Sequence, residues 1–279
     1  MDTNARQHRD RSISGEREVS GRVALFGGIY NNHLALATLL DDASSRASEI
    51  FCLGDVGAFG PYPDRSVEIL RDAGVPIVQG TYDRSIGLRR GDCACGYTDP
   101  RDNHFAALSY AYTFRNTSER NKDYLATLPD EIRLRGPKGE RILLCHGSPR
   151  RQNEFLWESL SPDPFLTRLL DDAHCDVLAV THTGIPWKRF LPGRRFVLNV
   201  GAIGRPANDG QTHVSYAVLD LSGEEPDATF VPLRYDHERL AAEMRAERIV
   251  DQFVETVETG WWTTCLEILP ARERARGMY

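Results

Sequence analysis

The sequence predicts an α/β fold around a largely parallel sheet, and three features of the chain carry that expectation. Between residues 22 and 80, short apolar runs of strand formers alternate with amphipathic helical stretches, the pattern of consecutive βαβ units. Each run ends in glycine and a polar cluster, GGIYNN, GDVGAFGPYPD and GTYDRSIG. From residue 131 onward a second set of short strand-like runs follows.

Taken in order, RVALFG (22–27) is a Gly-bounded apolar run and predicts a strand. NNHLALATLLDDA (31–43) places Leu34, Leu36, Leu39 and Leu40 at helical spacing. EIFCLG (49–54) is again strand-like, DRSVEILRDAG (64–74) is an amphipathic helix with a Gly stop, and VPIVQG (75–80) reads as a third strand. Residues 102–128 predict one or two helices. Strands follow at EIRLRG (131–136), RILLCHG (141–147), DVLAVTHTG (176–184) and RFVLNVG (195–201), with one helix, SPDPFLTRLLDDA (161–173), among them. THVSYAVLDL (212–221) and ATFVPLRY (228–235) alternate more cleanly, as strands with one covered face do. DHERLAAEMRAERIVDQFVETV (236–257) predicts one long charged amphipathic helix. The last stretch has no period, and its adjacent Trp261 and Trp262 must cover a core edge or a partner, such as a second copy of the chain.

Composition narrows the function classes. At roughly 150 residues per domain, 279 residues allow two domains or one large α/β unit. The chain has 34 basic and 40 acidic residues, net −6, which excludes broad binding to nucleic acid or to a membrane surface. Hydrophobic content of 41% with 27% charged residues fits a globular protein rather than a disordered one. No apolar run approaches the roughly 18 residues of a membrane span. Residues 1–20 are polar without an apolar core, so they predict a flexible tail and no secretory signal. Six cysteines are too sparse for a disulfide scaffold, and a cytoplasmic location is expected. Cys52, Cys145, Cys175 and Cys265 have apolar or mixed neighbours and read as core thiols.

In open α/β sheets the site forms in loops beyond the strands' carboxyl ends. There stand Asp55 in GD, His146 in CHG and His182 in THT, each after a short apolar run. Two imidazoles and one carboxylate suit Zn, Fe(II) or Mn. Their positions match no short zinc motif, so their convergence depends on the fold.

The blocks around these residues are more specific. GDVGAFGPYPDRSVEILR, LLCHGSPR and NVGAIGRPAND, in that order, resemble three blocks of the calcineurin-like metallophosphoesterase superfamily. In that family these are the GD block with its Gly-Pro-x-Pro follow-on, the HGSP block and the Asn-x-Gly-Ser-x-Gly-x-Pro-Arg block. The chain is most similar to the bacterial predicted-phosphodiesterase and diadenosine-tetraphosphatase-like branch, from about Arg22 to Tyr235. The resemblance implies a two-sheet β-sandwich flanked by helices, with a two-metal site at the strand ends. It divides the chain into a tail over 1–20, a metallophosphoesterase-like domain over 21–235, and a C-terminal helix and tail over 236–279 packed on that domain.

The departures concentrate on one metal. The family's Asp-x-His-Gly-Asn opening reads Gly28, Ile29, Tyr30, Asn31, Asn32 here. Its Gly-Asn-His-Asp block reads Gly80, Thr81, Tyr82, Asp83, and its Gly-His-Thr-His block reads Thr181, His182, Thr183, Gly184. By the resemblance the first metal would use positions 28, 30, 55 and 184, of which only Asp55 remains, with Tyr30 as a phenolate candidate. The second would use 55, 81, 146 and 182, leaving Asp55, His146 and His182 with Thr81 as a weak fourth ligand. The expectation is a mononuclear centre holding one divalent Fe, Mn or Zn.

Tyr30, Tyr82 and Asp83 then become the candidate catalytic groups. A phenol with a pKa of about 10 is a poor general acid at neutral pH, so phosphodiester hydrolysis is expected to be slow or confined to activated substrates. Asn32, Arg84, Arg150 and Arg205 are candidates for binding a small anionic substrate. Cys93 and Cys95 form a C-x-C that offers a thiol or soft-metal site. Three functions stay open: a single-metal phosphoesterase-like hydrolase, a catalytically degenerate binding or regulatory protein, and a mononuclear non-haem Fe(II) redox enzyme.

Overall fold

The computed structural model describes residues 16–278. Alternation within single strands sets the layers. In β2 (Arg22–Phe26), Val23 and Leu25 enter one apolar core while Ala24 and Phe26 enter another. The parallel neighbour β3 (Glu49–Cys52) repeats this, sending Phe51 to the first core and Cys52 to the second. With β9 (Val214–Asp220) and β10 (Asp227–Leu233) these strands form a four-stranded sheet of order β10-β9-β2-β3.

A second sheet has six strands. β1 (Arg17–Glu18), β4 (Glu131–Arg135), β5 (Arg141–Cys145), β6 (Val177–Val180), β7 (Trp187–Leu191) and β8 (Arg195–Asn199) lie in the order β1-β4-β5-β6-β8-β7. Its central strands β5, β6 and β8 are parallel. They read as continuous apolar runs because both of their faces are covered. Between the sheets, Val23, Leu25 and Phe51 meet Leu134, Leu144 and Phe196.

Helices cover the outer faces. α1 (His33–Ser44), α2 (Pro63–Asp72), α3 (Thr81–Gly87) and α4 (Pro100–Asn116) cover the smaller sheet together with α5 (Glu119–Ala126), α7 (His237–Ala246) and α8 (Asp251–Thr259). α6 (Asp163–Ala173) lays Leu166, Leu169 and Leu170 on the larger sheet. The expected two-sheet sandwich flanked by helices is therefore the observed architecture. A short last helix, α9 (Ala271–Arg274), ends the described chain.

Some elements differ from expectation. VPIVQG makes a single bridge, Cys52 to Ile77, rather than a strand, because Pro76 interrupts it. GTYDRSIG, expected as a loop, holds α3. WKRFL forms β7, antiparallel to β8. The long helix expected over 236–257 breaks between Ala246 and Asp251, where Arg248 has a left-handed φ of 56°. Of the tail expected over 1–20, residues 1–15 lie outside the described residues. The rest is ordered: β1 pairs in parallel with β4, and Val19 is buried in the inter-sheet core. Among the described residues no helix is long and apolar enough to cross a membrane.

Candidate metal centre

Parallel strands from both sheets end at one edge, and three side chains converge there. Asp55 follows β3 of the smaller sheet, while His146 and His182 follow β5 and β6 of the larger one. One ligand atom from each lies within 4.8 Å of the others, and all three residues are buried. Asp55 and His182 both take a left-handed φ of 57°, a region non-glycine residues enter at some cost and mostly where the surroundings fix them.

The loops that hold Asp55 are fastened by Asp83. Its carboxylate accepts the backbone N–H groups of Asp55 at 2.8 Å, Val56 at 2.9 Å and Gly80 at 2.8 Å. Residue 80 must be glycine, because a Cβ there would collide with the Asp55 backbone nitrogen and carboxylate. Asp55 also accepts from Tyr82 N at 2.9 Å and, more loosely, from the Thr81 hydroxyl at 3.3 Å.

Backbone carbonyls set the tautomers of both imidazoles. A carbonyl only accepts, so His146 Nδ1–H donates to Leu53 O at 2.7 Å and His182 Nε2–H donates to Cys95 O at 3.1 Å. The remaining nitrogens, His146 Nε2 and His182 Nδ1, face each other at 3.0 Å, and the first stands 3.2 Å from Asp55 Oδ2. In neutral rings both would present lone pairs to one another and to a carboxylate. Only a cation or a shared proton satisfies such a donor set, so these residues fit a divalent metal ion. The outer N–H···O=C bonds are the usual orienting partners of metal-ligating histidines.

The charges of the three residues depend on one another. Burial alone would push the Asp55 carboxyl up, but the charge and hydrogen bond of His146, the charge of His182 and the Tyr82 N–H turn it downward. Burial opposes the His146 cation, yet Asp55 outweighs it and raises that imidazole. Burial and the His146 charge push His182 down to about 3. Burial, then the charge of Asp55, raises Asp83 to about 6 against its three N–H donors.

The other expected site residues are distributed unevenly. Tyr30 lies at the site: a Cβ on Gly28 would fall 2.9 Å from its Cζ and 3.0 Å from its hydroxyl. Burial raises its pKa far above that of a free phenol. The Tyr82 ring packs on Tyr110 of α4. Its hydroxyl donates to Ser109 Oγ of α4 at 3.0 Å, because α3 turns that side chain into the helical layer. Asn32 caps α1, accepting from Ala35 N at 2.9 Å, and its amide donates to Ile203 O and Gly204 O, tying the first loop to the one after β8. Arg84 pairs with Asp130 at 3.2 Å and Arg150 pairs with Glu154. Both line a crevice of about 710 Å3 that reaches His146 from the α6 side. Arg205 is buried near Tyr30.

One further expectation changes. Cys93 and Cys95 are joined as a disulfide, so neither is a free thiol or a soft-metal ligand here, while Cys52, Cys145, Cys175 and Cys265 are free and buried as expected. Trp262 covers a core edge, one of the two alternatives expected of it. It is buried in a cluster with Trp157, Ile185 and Leu266 and donates its indole N–H to Pro206 O at 2.7 Å. The sequence reading missed the site's cover. The Phe155 ring centre lies 4.3 Å from that of His182, and Tyr97 packs on Phe155. Their one signal is position, Phe155 shortly after the HGSP block and Tyr97 two residues after Cys95.

No family model matches the chain. An uncharacterized protein of Methanocaldococcus jannaschii, MJ0912, is 27% identical over 219 residues, covering 72% of this chain and 84% of that protein. Among solved structures, a metallophosphoesterase from Sphaerobacter thermophilus is 23% identical with a TM-score of 0.65, covering 86% of this chain and 99% of that one. The hypothetical protein PH1004 of Pyrococcus horikoshii OT3 is 19% identical with a TM-score of 0.72, covering 87% and 99%. The two sheets and their flanking helices thus have the metallophosphoesterase fold.

Proposed function

We propose that this chain, built on the metallophosphoesterase fold, is a cytoplasmic metal-dependent hydrolase that uses one divalent cation on a small phosphoester-type anion. The observation that carries this reading is the pair of lone-pair nitrogens of His146 and His182, opposed across 3.0 Å beside Asp55. These three residues would hold the cation. When bound, such an ion supplies Lewis acidity, polarising a phosphoryl oxygen and lowering the pKa of water to about 7.

The chain's own residues do the rest. Leu53 O and Cys95 O orient the imidazoles, and Asp83 fixes the loop that presents Asp55. Phe155 covers the His182 ring and keeps bulk water from it. A single cation is supported by what fills the neighbouring space. A Cβ on Gly28 would meet Ala202 at 2.8 Å and Tyr30 at 2.9 Å, and one on Gly184 would meet Trp262 at 3.3 Å and Arg205 Nη2 at 3.4 Å. Ligand side chains at 28 and 184 are absent, and a guanidinium beside residue 184 opposes a second cation.

Elemental analysis of the purified protein, with assays on phosphomonoesters, phosphodiesters and dinucleotides, tests the reading. About one equivalent of metal per chain is expected, with turnover lost in Asp55→Ala and His146→Ala. Full activity in metal-free protein would refute it. Stoichiometric metal without turnover on any of these substrates would leave a binding protein, and oxygen uptake after anaerobic iron loading would assign a redox enzyme instead.

A further inference from the structure

Beside the metal centre the fold buries a guanidinium that no anion neutralises. Arg205, in the loop after β8, is 7% exposed, and its Nε is buried without a hydrogen-bond partner. Among the described residues no carboxylate lies within ion-pair distance of it. Its contacts are aromatic faces: Trp262 at 3.5 Å, Phe59 at 5.1 Å and Tyr30 at 5.7 Å from the ring centres. Other arginines of this region have carboxylates, Arg84 with Asp130 and Arg150 with Glu154. A buried charge is ordinarily paired, because leaving it unpaired is costly. Stacking satisfies the face of a guanidinium and leaves its N–H edge free for a planar or tetrahedral oxyanion.

The group adjoins the loop that carries His182. Arg205 Nη2 lies 3.4 Å from where a Cβ of Gly184 would stand, two residues after His182. The Tyr30 phenol, raised chiefly by burial, also feels both charges, Arg205 lowering its pKa and Asp55 raising it. Tyr97 and Cys265 adjoin the same group, and burial holds the Tyr30 and Tyr97 hydroxyls and the Cys265 thiol protonated. Among the aromatic and aliphatic groups around Arg205, these three supply donors.

We propose that Arg205 anchors an oxyanion site, taking a phosphoryl group that bridges its guanidinium and the Asp55–His146–His182 cluster. This rests on the hydrolase reading and deepens it. The guanidinium supplies the second positive group on the substrate, while Trp262, from the C-terminal segment, holds it in orientation.

Inorganic phosphate is the probe. Calorimetric titration of the full chain, chelator-treated and then manganese-loaded, is compared with Arg205→Met and Arg205→Lys, and Trp fluorescence is followed in parallel. Phosphate binding to the wild type is expected in both forms, tighter with manganese, and competed by sulfate. Arg205→Met should weaken it about tenfold or more, and Arg205→Lys should weaken it less. Manganese affinity should change little in either variant. Trp262→Phe should remove most of the phosphate-induced fluorescence change. Arg205→Lys keeps a cation in place and remains informative if Arg205→Met does not fold. Phosphate binding unchanged in these variants, or absent from the wild type, overturns the proposal. Arg205-dependent phosphate binding without metal uptake or turnover would sustain this site and remove the hydrolase reading. Turnover indifferent to Arg205 would do the reverse.

Discussion

His146 Nε2 and His182 Nδ1 face one another at 3.0 Å while the outer nitrogen of each ring donates to a backbone carbonyl. Neither ring can turn its facing nitrogen away without losing a buried hydrogen bond. A cation between them and Asp55 should therefore stabilise the native chain. At a metal concentration about 100 times Kd the gain is about 2.7 kcal/mol, or a rise in Tm of roughly 5 °C for a chain of this size. Thermal melts with Mn(II), Zn(II) and chelator measure it. His146→Ala and His182→Ala should each abolish the metal-dependent rise, and a rise surviving both would place the ion elsewhere.

Tyr82 stands in a motif that the resemblance makes catalytic, yet its hydroxyl bonds to Ser109 and its ring packs on Tyr110. Tyr82→Phe keeps the packing and removes the hydroxyl's bond to Ser109 Oγ and its longer contact with Ala106 O. Its expected cost is about 1 kcal/mol of stability, with kcat/KM within about twofold of the wild type. A hundredfold loss of kcat with an unchanged melt would return Tyr82 to the chemistry.

Asp83 acts through the backbone. Its carboxylate accepts three N–H groups, and each left unsatisfied costs about 1–3 kcal/mol. Asp83→Ala should lower Tm strongly and weaken metal binding, because the Asp55 loop loses its fastening. Asp83→Asn keeps one acceptor oxygen and should fall between. Denaturant melts and metal titrations of both variants decide the matter. A wild-type melt with lost turnover would instead make Asp83 a direct participant.

The sequence made the strands legible wherever a layer imposed a pattern. Alternating Val23, Ala24, Leu25 and Phe26 serve two cores, and that pattern is local. Asp55, His146 and His182 could be singled out because each follows such a run at a strand's carboxyl end. α3 was hidden because GTYDRSIG carries turn residues at its start, and the long C-terminal helix broke at a left-handed Arg248 that no side chain announces. The groups that orient the imidazoles, Leu53 O and Cys95 O, are backbone atoms and have no residue signature. The stacking of Trp262 on Arg205 joins positions 57 residues apart, which only tertiary structure can bring together.

The disulfide yields the last prediction. Cys95 O accepts the His182 Nε2–H at 3.1 Å, and the Cys93–Cys95 bond closes the loop that presents this carbonyl. A phosphine reductant with water takes the oxygen onto phosphorus and leaves two thiols, adding two electrons and two protons. The loop then gains freedom and the tether on His182 loosens. Loss of an orienting partner of this kind typically costs 10–100-fold in metal affinity. A loosened rather than deleted partner should sit near the lower end, about tenfold. A chromophoric chelator competition before and after reduction, and with Cys93→Ser/Cys95→Ser, reads the change. Because the four other cysteines are free, thiols titrated in denaturant should rise by two per chain on reduction. Equal metal affinity in the oxidised, reduced and serine forms would show that backbone packing, not the disulfide, holds the Cys95 carbonyl on His182.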